Sequence, residues 1–161
     1  MSTHPIMFEM IKDGPLLDKN EIHHLEKKLN VELPIQYKSF LEKFNGGKPL
    51  QSEIDFTLPD GTESGDKIKR FYEASIDTSY GLRSNHEDLS WQLPLGYLTI
   101  AITPAGNYFL IELSQNNYGQ IFYKDHELED EPEKDDGLPY NMVKVANSFN
   151  EFLDKLYDPD E

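Results

Sequence analysis

Residues 97–123 read YLTIAITPAGNYFLIELSQNNYGQIFY, and the fold class turns on this stretch. Residues 97–102 are rich in β-branched and aromatic side chains and read as a strand. Pro104-Ala105-Gly106-Asn107 is turn chemistry, and residues 108–113 are a second apolar run of strand length. Gln115, Asn116, Asn117, Tyr118 and Gly119 make another turn, after which residues 120–123 read as a third strand. Strands separated by such short connections can only pair antiparallel, so the stretch predicts a three-stranded meander.

Upstream of the meander the periodicity changes from two to near four. Asp18 followed by Glu21 has the spacing of a helix-opening capping box, and Ile22, Leu25 and Leu29 form one apolar stripe ending near Asn30. Pro34 suits the first turn of a second helix, where its missing N–H is no loss. Tyr37, Phe40, Leu41 and Phe44 then define an aromatic face, and Asn45-Gly46-Gly47 reads as the helix cap. Ile6, Met7, Met10 and Ile11 predict a shorter helix before these, ending near Asp13-Gly14-Pro15. Residues 54–58 alternate like a half-buried strand ahead of the turn Pro59-Asp60-Gly61, and residues 68–72 read as extended. Residues 75–89 leave helix and strand open. Downstream, Ser148 and Glu151 again have capping-box spacing, with Val145, Phe149, Phe152 and Leu156 as the buried stripe of a last helix. Helices, strands, then a helix predict an α+β fold: a mainly antiparallel sheet flanked by N-terminal helices and a C-terminal helix. The 161 residues suit one domain, with a core over about 18–156.

Charge excludes several functions. The chain carries 30 acidic and 15 basic residues, a formal net charge of −15, which repels nucleic-acid phosphate and anionic lipid. Nineteen aromatic residues distinguish it from a disordered acidic chain. No run approaches the ~20 apolar residues that span a bilayer, and residues 1–11 lack a basic segment followed by an apolar one, so they do not read as a secretory signal. Without cysteine there is no disulfide framework and no thiolate metal site. A cytoplasmic location fits these features. The imbalance is also local: residues 1–50 are neutral, whereas residues 51–161 hold 23 acids against 8 bases. The densest part, Asp125 to Asp136, presents Asp125, Glu127, Glu129, Asp130, Glu131, Glu133, Asp135 and Asp136 against Lys134 alone. With Pro132, Gly137 and Pro139 nearby, it is expected to be a surface loop over about 125–138.

Catalytic signatures are absent. No Gly-x-Ser-x-Gly elbow, phosphate loop or dinucleotide fingerprint occurs. His23 and His24 are adjacent, so on a helix they diverge by about 100° and cannot share a metal as an i, i+4 pair would. His86 beside Glu87 and Asp88, and His126 between Asp125 and Glu127, leave a weak metal or general-base reading open against that of histidines on an acidic surface. No catalytic, cofactor-binding or metal-binding residue is assigned and no cofactor is expected. The acidic run likewise has two readings. It is a solubilising loop, or it docks a basic protein surface, where clustered carboxylates speed encounter.

The ordered set of motifs resembles a known family. Glu21-Ile22-x-x-Leu25-Glu26-x-x-Leu29, Leu33-Pro34-x-x-Tyr37-x-x-Phe40-Leu41 and Phe44-Asn45-Gly46-Gly47 resemble the opening signature of the SUKH superfamily. Phe71-Tyr72, Leu98-x-Ile100-Ala101, Gly106-Asn107, Gly119-x-Ile121-Phe122-Tyr123-x-Asp125-His126-Glu127, Val145-Ala146 and Ser148-Phe149-x-x-Phe152-Leu153 continue in the same order. The resemblance implies an α+β binding module without catalysis, since the family includes a fungal cell-wall-assembly regulator and bacterial immunity proteins against polymorphic toxins, often nucleases. It implies a cognate protein toxin with a basic surface as partner, no nucleic acid and no membrane. A regulatory scaffold recognising an endogenous protein is the alternative, and a hydrolase or metal-dependent enzyme is a third. The matched positions are fold determinants and do not name the partner-binding residues. The acidic insertion after Glu127 lies outside the common pattern.

Overall fold

The computed structural model describes residues 8–58, 60–75, 78–83, 85, 96–115, 117–126 and 142–160. Strands β1 (Met10–Asp13), β2 (Gly47–Pro49), β5 (Arg70–Phe71), β6 (Tyr97–Ile102), β7 (Tyr108–Glu112), β8 (Ile121–Lys124) and β9 (Met142–Ala146) form one sheet in the order β1-β2-β5-β6-β7-β8-β9. Every neighbouring pair is antiparallel. β3 (Glu53–Thr57) and β4 (Glu63–Lys67) make a separate hairpin. The helices are α1 (Lys19–Leu29), α2 (Ile35–Phe44) and α3 (Phe149–Lys155). The fold is therefore α+β with a mainly antiparallel sheet, as the sequence predicts.

The meander β6-β7-β8 forms the middle of the sheet, and its two turns close as the sequence requires. Gly106 takes φ 89° and donates its N–H to the Thr103 carbonyl, while Gly119 takes φ 90° and donates to Glu112. Side chains alternate across the sheet. Leu98, Ile100, Phe109, Ile111, Ile121 and Tyr123 join the main core, whereas Tyr97, Leu110, Phe122 and Met142 form a smaller buried cluster.

The helices bury their stripes in the main core. Asp18 caps α1 through a reciprocal capping box with Glu21, and Ile22 and Leu25 are buried below it. Tyr37, Phe40 and Leu41 of α2 meet Phe149 of α3 and Phe71 of β5, with ring centroids 4.8 Å apart for Phe40–Phe71 and 5.1 Å for Phe40–Phe149. Phe152 packs on Phe109 at 5.3 Å, which fixes α3 over the meander. Tilted and edge-on contacts at these separations suit the ring quadrupole and add to the area they bury. The β3–β4 hairpin docks by Ile54 and Phe56, with Phe56 4.7 Å from Tyr123.

Three local expectations change. Met10 to Asp13 is the edge strand β1, not the end of a first helix, while Ile6 and Met7 lie outside the described residues. Two apolar pairs in so short a run suit either period, and backbone pairing with β2 decides the outcome. Val145 belongs to β9 rather than to the last helix, which Ser148 opens by accepting the Glu151 N–H. The α2 cap is Asn45, at φ 50°, and not a glycine. Gly46 and Gly47 serve close approach instead: an added Cβ would lie 2.5 Å from the Tyr72 carbonyl oxygen and 2.2 Å from that of Lys12.

Asn45 does more than end a helix. Its buried side chain donates from Nδ2 to the Pro15 carbonyl and Ser75 Oγ, each at 2.9 Å, and its Oδ1 accepts the Ala74 N–H at 2.8 Å. One amide thus ties the end of α2 to the segments after β1 and β5. Asn45→Ala is expected to cost about 2–4 kcal/mol, because the buried Ala74 N–H loses its acceptor and a non-glycine residue without a local hydrogen bond is left at positive φ. Urea denaturation should show this as a lower midpoint at unchanged slope.

Tyr37 is the opposite case, a fully buried hydroxyl with no hydrogen-bond partner among the described residues. Burial pushes Tyr37, Tyr72 and Tyr123 well above the ordinary tyrosine value near 10. Because the folded values are raised, their contribution is complete below the unfolded value and is lost as pH climbs past it toward the folded values. The protein should therefore unfold in alkali above about pH 10, with tyrosinate absorbance rising together with loss of near-ultraviolet circular dichroism. Tyr37→Phe should raise stability at neutral pH by about 1 kcal/mol and blunt the alkaline loss. A lower denaturation midpoint for Tyr37→Phe would contradict this account.

Candidate functional site

Asp125 and His126 begin the acidic run where β8 leaves the sheet. Lys124, the last residue of β8, is buried, and Asp125 is half-buried. His126 is held in place: its backbone N–H donates to Asn107 Oδ1 at 2.9 Å, and its Nδ1 lies 2.6 Å from the same oxygen. An amide oxygen only accepts, so Nδ1 carries the proton in this contact. Asn107 Nδ2 donates onward to Asp66 Oδ2 at 3.3 Å, and the Tyr123 hydroxyl donates to that same carboxylate oxygen at 2.6 Å. The network joins the β6–β7 turn, β8 and the docked β3–β4 hairpin. Burial, then the Asp66 hydrogen bond and charge, then the Asp125 charge raise the Tyr123 hydroxyl.

Of the residues predicted to contact a partner, the structure thus describes Asp125, half-buried just after β8, whose charge acts on the Tyr123 hydroxyl. Glu127, Glu129, Asp130, Glu131, Glu133, Asp135 and Asp136 lie outside the described residues, as does His86. His126 is committed to Asn107, and His23 and His24 are exposed on α1. Among the described residues, no three metal-ligating side chains converge.

A second surface feature was not anticipated. The α1–α2 connection, the β7–β8 turn and the start of α3 enclose an open groove of about 720 Å³, with Glu32, Pro34, Ile35, Gln36, Tyr118 and Ser148 on its walls. Ile35 is 79% exposed and Tyr118 44% exposed, and the two lie on the walls of one groove. Both are positioned by the fold. The Tyr118 hydroxyl donates to the Glu32 carbonyl, fixing the ring. Glu26 holds the connection from below: its Oε2 accepts the Leu33 N–H at 2.8 Å and lies 3.5 Å from the Lys38 ammonium. Gln36 Oε1 accepts the Asn150 N–H at 2.9 Å, tying α2 to α3. Burial first, then the negative charges of Glu32 and Glu26, hold the Tyr118 hydroxyl above its ordinary value.

The sequence did carry a signal for this groove. Ile35 falls outside the i, i+3, i+4, i+7 stripe of Tyr37, Phe40, Leu41 and Phe44, so it had to face away from the core. Tyr118 stands in a turn between two strands, where a large side chain has no neighbour on the pleat.

Helices laid on one antiparallel sheet, with the notable side chains on open loop surfaces, define a small α+β module. The chain belongs to the SMI1 / KNR4 family (SUKH-1), whose pattern matches residues 16–155. It is also 29% identical, over 163 aligned residues, to the SPbeta prophage-derived uncharacterized protein YokK of Bacillus subtilis (strain 168). That alignment covers 89% of this chain and 77% of the relative. Family membership agrees with the resemblance read from the helix, hairpin and capping motifs. Among the described residues, no helix is long and apolar enough to cross a membrane.

Proposed function

We propose that this chain is an immunity protein that binds a cognate toxin in the cytoplasm, one to one, and blocks it without chemistry of its own. The observation that carries the reading is uncompensated charge on a member of this family: 23 acids against 8 bases after residue 50. Surfaces that hold nucleic acid are basic, so a protein presenting carboxylates where phosphates would lie can occupy a nuclease cleft. A basic nuclease is therefore the toxin class proposed. The YokK relative is prophage-derived, a setting that suits a gene of genetic conflict.

Two components divide the work in this reading. The acidic residues Asp125 to Asp136 supply a field that reaches about a Debye length, roughly 8 Å at physiological salt, and so act on encounter. Buried aromatic or aliphatic anchors supply lifetime.

The test is inhibition of the C-terminal domain of a toxin encoded beside this gene, titrated with the purified chain. Activity should fall to zero at one equivalent, and undiminished activity at excess would remove the reading. Replacing Glu129, Asp130, Glu131 and Glu133 with Ser should slow association about tenfold at low salt and flatten its salt dependence. An unchanged on-rate in stopped flow would take the acidic run out of the interface.

A further inference from the structure

The groove beside Tyr118 offers four kinds of contact at once. The Tyr118 ring presents an exposed aromatic face whose tilt is fixed by the hydroxyl bond to the Glu32 carbonyl. The Glu32 carboxylate has no ion pair among the described residues, whereas neighbouring Glu26 is paired with Lys38. Ile35 adds an uncovered aliphatic surface. The first turn of α2 follows Pro34 and has no side-chain cap among the described residues, which leaves its N–H groups for an incoming carbonyl oxygen.

Charge selects the occupant. Glu32, without an ion pair among the described residues, puts a negative charge beside Tyr118, and the whole chain adds −15. A guanidinium is planar, stacks on an aromatic face and forks onto a carboxylate, which a compact ammonium does less well. The positive end of α2 disfavours a cation directly over Ile35. That places the guanidinium on the Tyr118–Glu32 side and leaves the helix end for backbone carbonyls of the same segment.

We propose that this groove seats an arginine followed by an aliphatic residue, presented by the basic protein partner, with the guanidinium between Tyr118 and Glu32 and the aliphatic group on Ile35. The proposal rests on the immunity reading for the identity of the partner, and on the groove's own geometry for the chemistry it recognises.

The experiment uses the full chain, labelled with ¹⁵N, and three acetylated dipeptide amides: arginyl-leucine, citrullinyl-leucine and glutamyl-leucine. The arginyl peptide should give saturable amide shifts at Glu32, Ile35, Gln36 and Tyr118. Citrulline keeps the shape but not the charge and should bind at least about fivefold more weakly, with the glutamyl peptide weaker still. Glu32→Gln should reduce the arginine preference to about that of citrulline, and Ile35→Ser, an exposed change, should weaken all three while leaving the remaining spectrum in place. Absence of saturable shifts in the groove, or equal shifts from arginyl and citrullinyl peptides, would overturn the proposal. Its failure is separable from that of the immunity reading. A toxin domain inhibited at one equivalent with a silent groove removes only this site, whereas a responsive groove without toxin inhibition removes only the immunity assignment.

Discussion

Phe40 stands 4.8 Å from Phe71 and 5.1 Å from Phe149, and the arrangement of the molecule follows from that contact. Phe71 belongs to the two-residue strand β5, which joins β1 and β2 to the meander through one paired position with β2 and two with β6. A strand so short contributes few ladder bonds, so side-chain packing has to hold it. Phe149 opens α3, whose Phe152 reaches Phe109 in the middle of the sheet. The aromatic layer is therefore the common partner of α2, which precedes the meander in sequence, and α3, which follows β9. Removing one ring would leave a cavity as well as lost area, at a cost of about 3–5 kcal/mol.

Once that layer is in place, the chain ends around it must approach closely, and Asn45 with Gly46 and Gly47 is where they do. A Cβ at Gly46 or Gly47 would sit inside the contact distance of backbone atoms in the Phe71–Tyr72 and Lys12–Asp13 segments. Asn45 satisfies donors and acceptors that the same approach would otherwise strand from water. The three residues look like a helix terminator in sequence because Asn and Gly are what helix ends use. Their tertiary duty calls for the same residue types, for the different reason of space.

That double meaning marks the limit of what could be read from the sequence. The meander, the α1 capping box, the α2 face and the Ser148 cap were all legible, because each is set by residues a few positions apart. The seven-stranded sheet was not. β1 and β2 are three or four residues long, so only their distant partners make them strands, whereas β5 falls inside the extended stretch read over residues 68–72. β9 was hidden because Val145 continues the helical stripe of Phe149 and Phe152 backward. For the site, the acidic run is plain in composition, yet composition cannot say what it faces. The groove was the reverse: Ile35 and Tyr118 are unremarkable alone, and only the fold brings residues 83 positions apart in the chain to one surface.

These two features differ in physical range, and that difference orders them in the proposed recognition event. Carboxylates at Asp125 to Asp136 act through a screened field and need no defined geometry, so substitutions there are tolerated as long as charge persists. The groove requires a ring held by a hydrogen bond and a connection held by Glu26, contacts that fall away with small displacement, beside a carboxylate unpaired and a helix end uncapped among the described residues. In that proposal a partner is drawn in by the first and retained by the second. Specificity among basic partners therefore has to reside in the groove, since any cationic protein feels the field but few present a guanidinium beside an aliphatic side chain at the right spacing. The α1–α2 connection and the β7–β8 turn that build it are loops fastened to rigid elements by Glu26 and Tyr118. Their tips can vary while the aromatic layer below stays the same, which is how one fold can serve many partners.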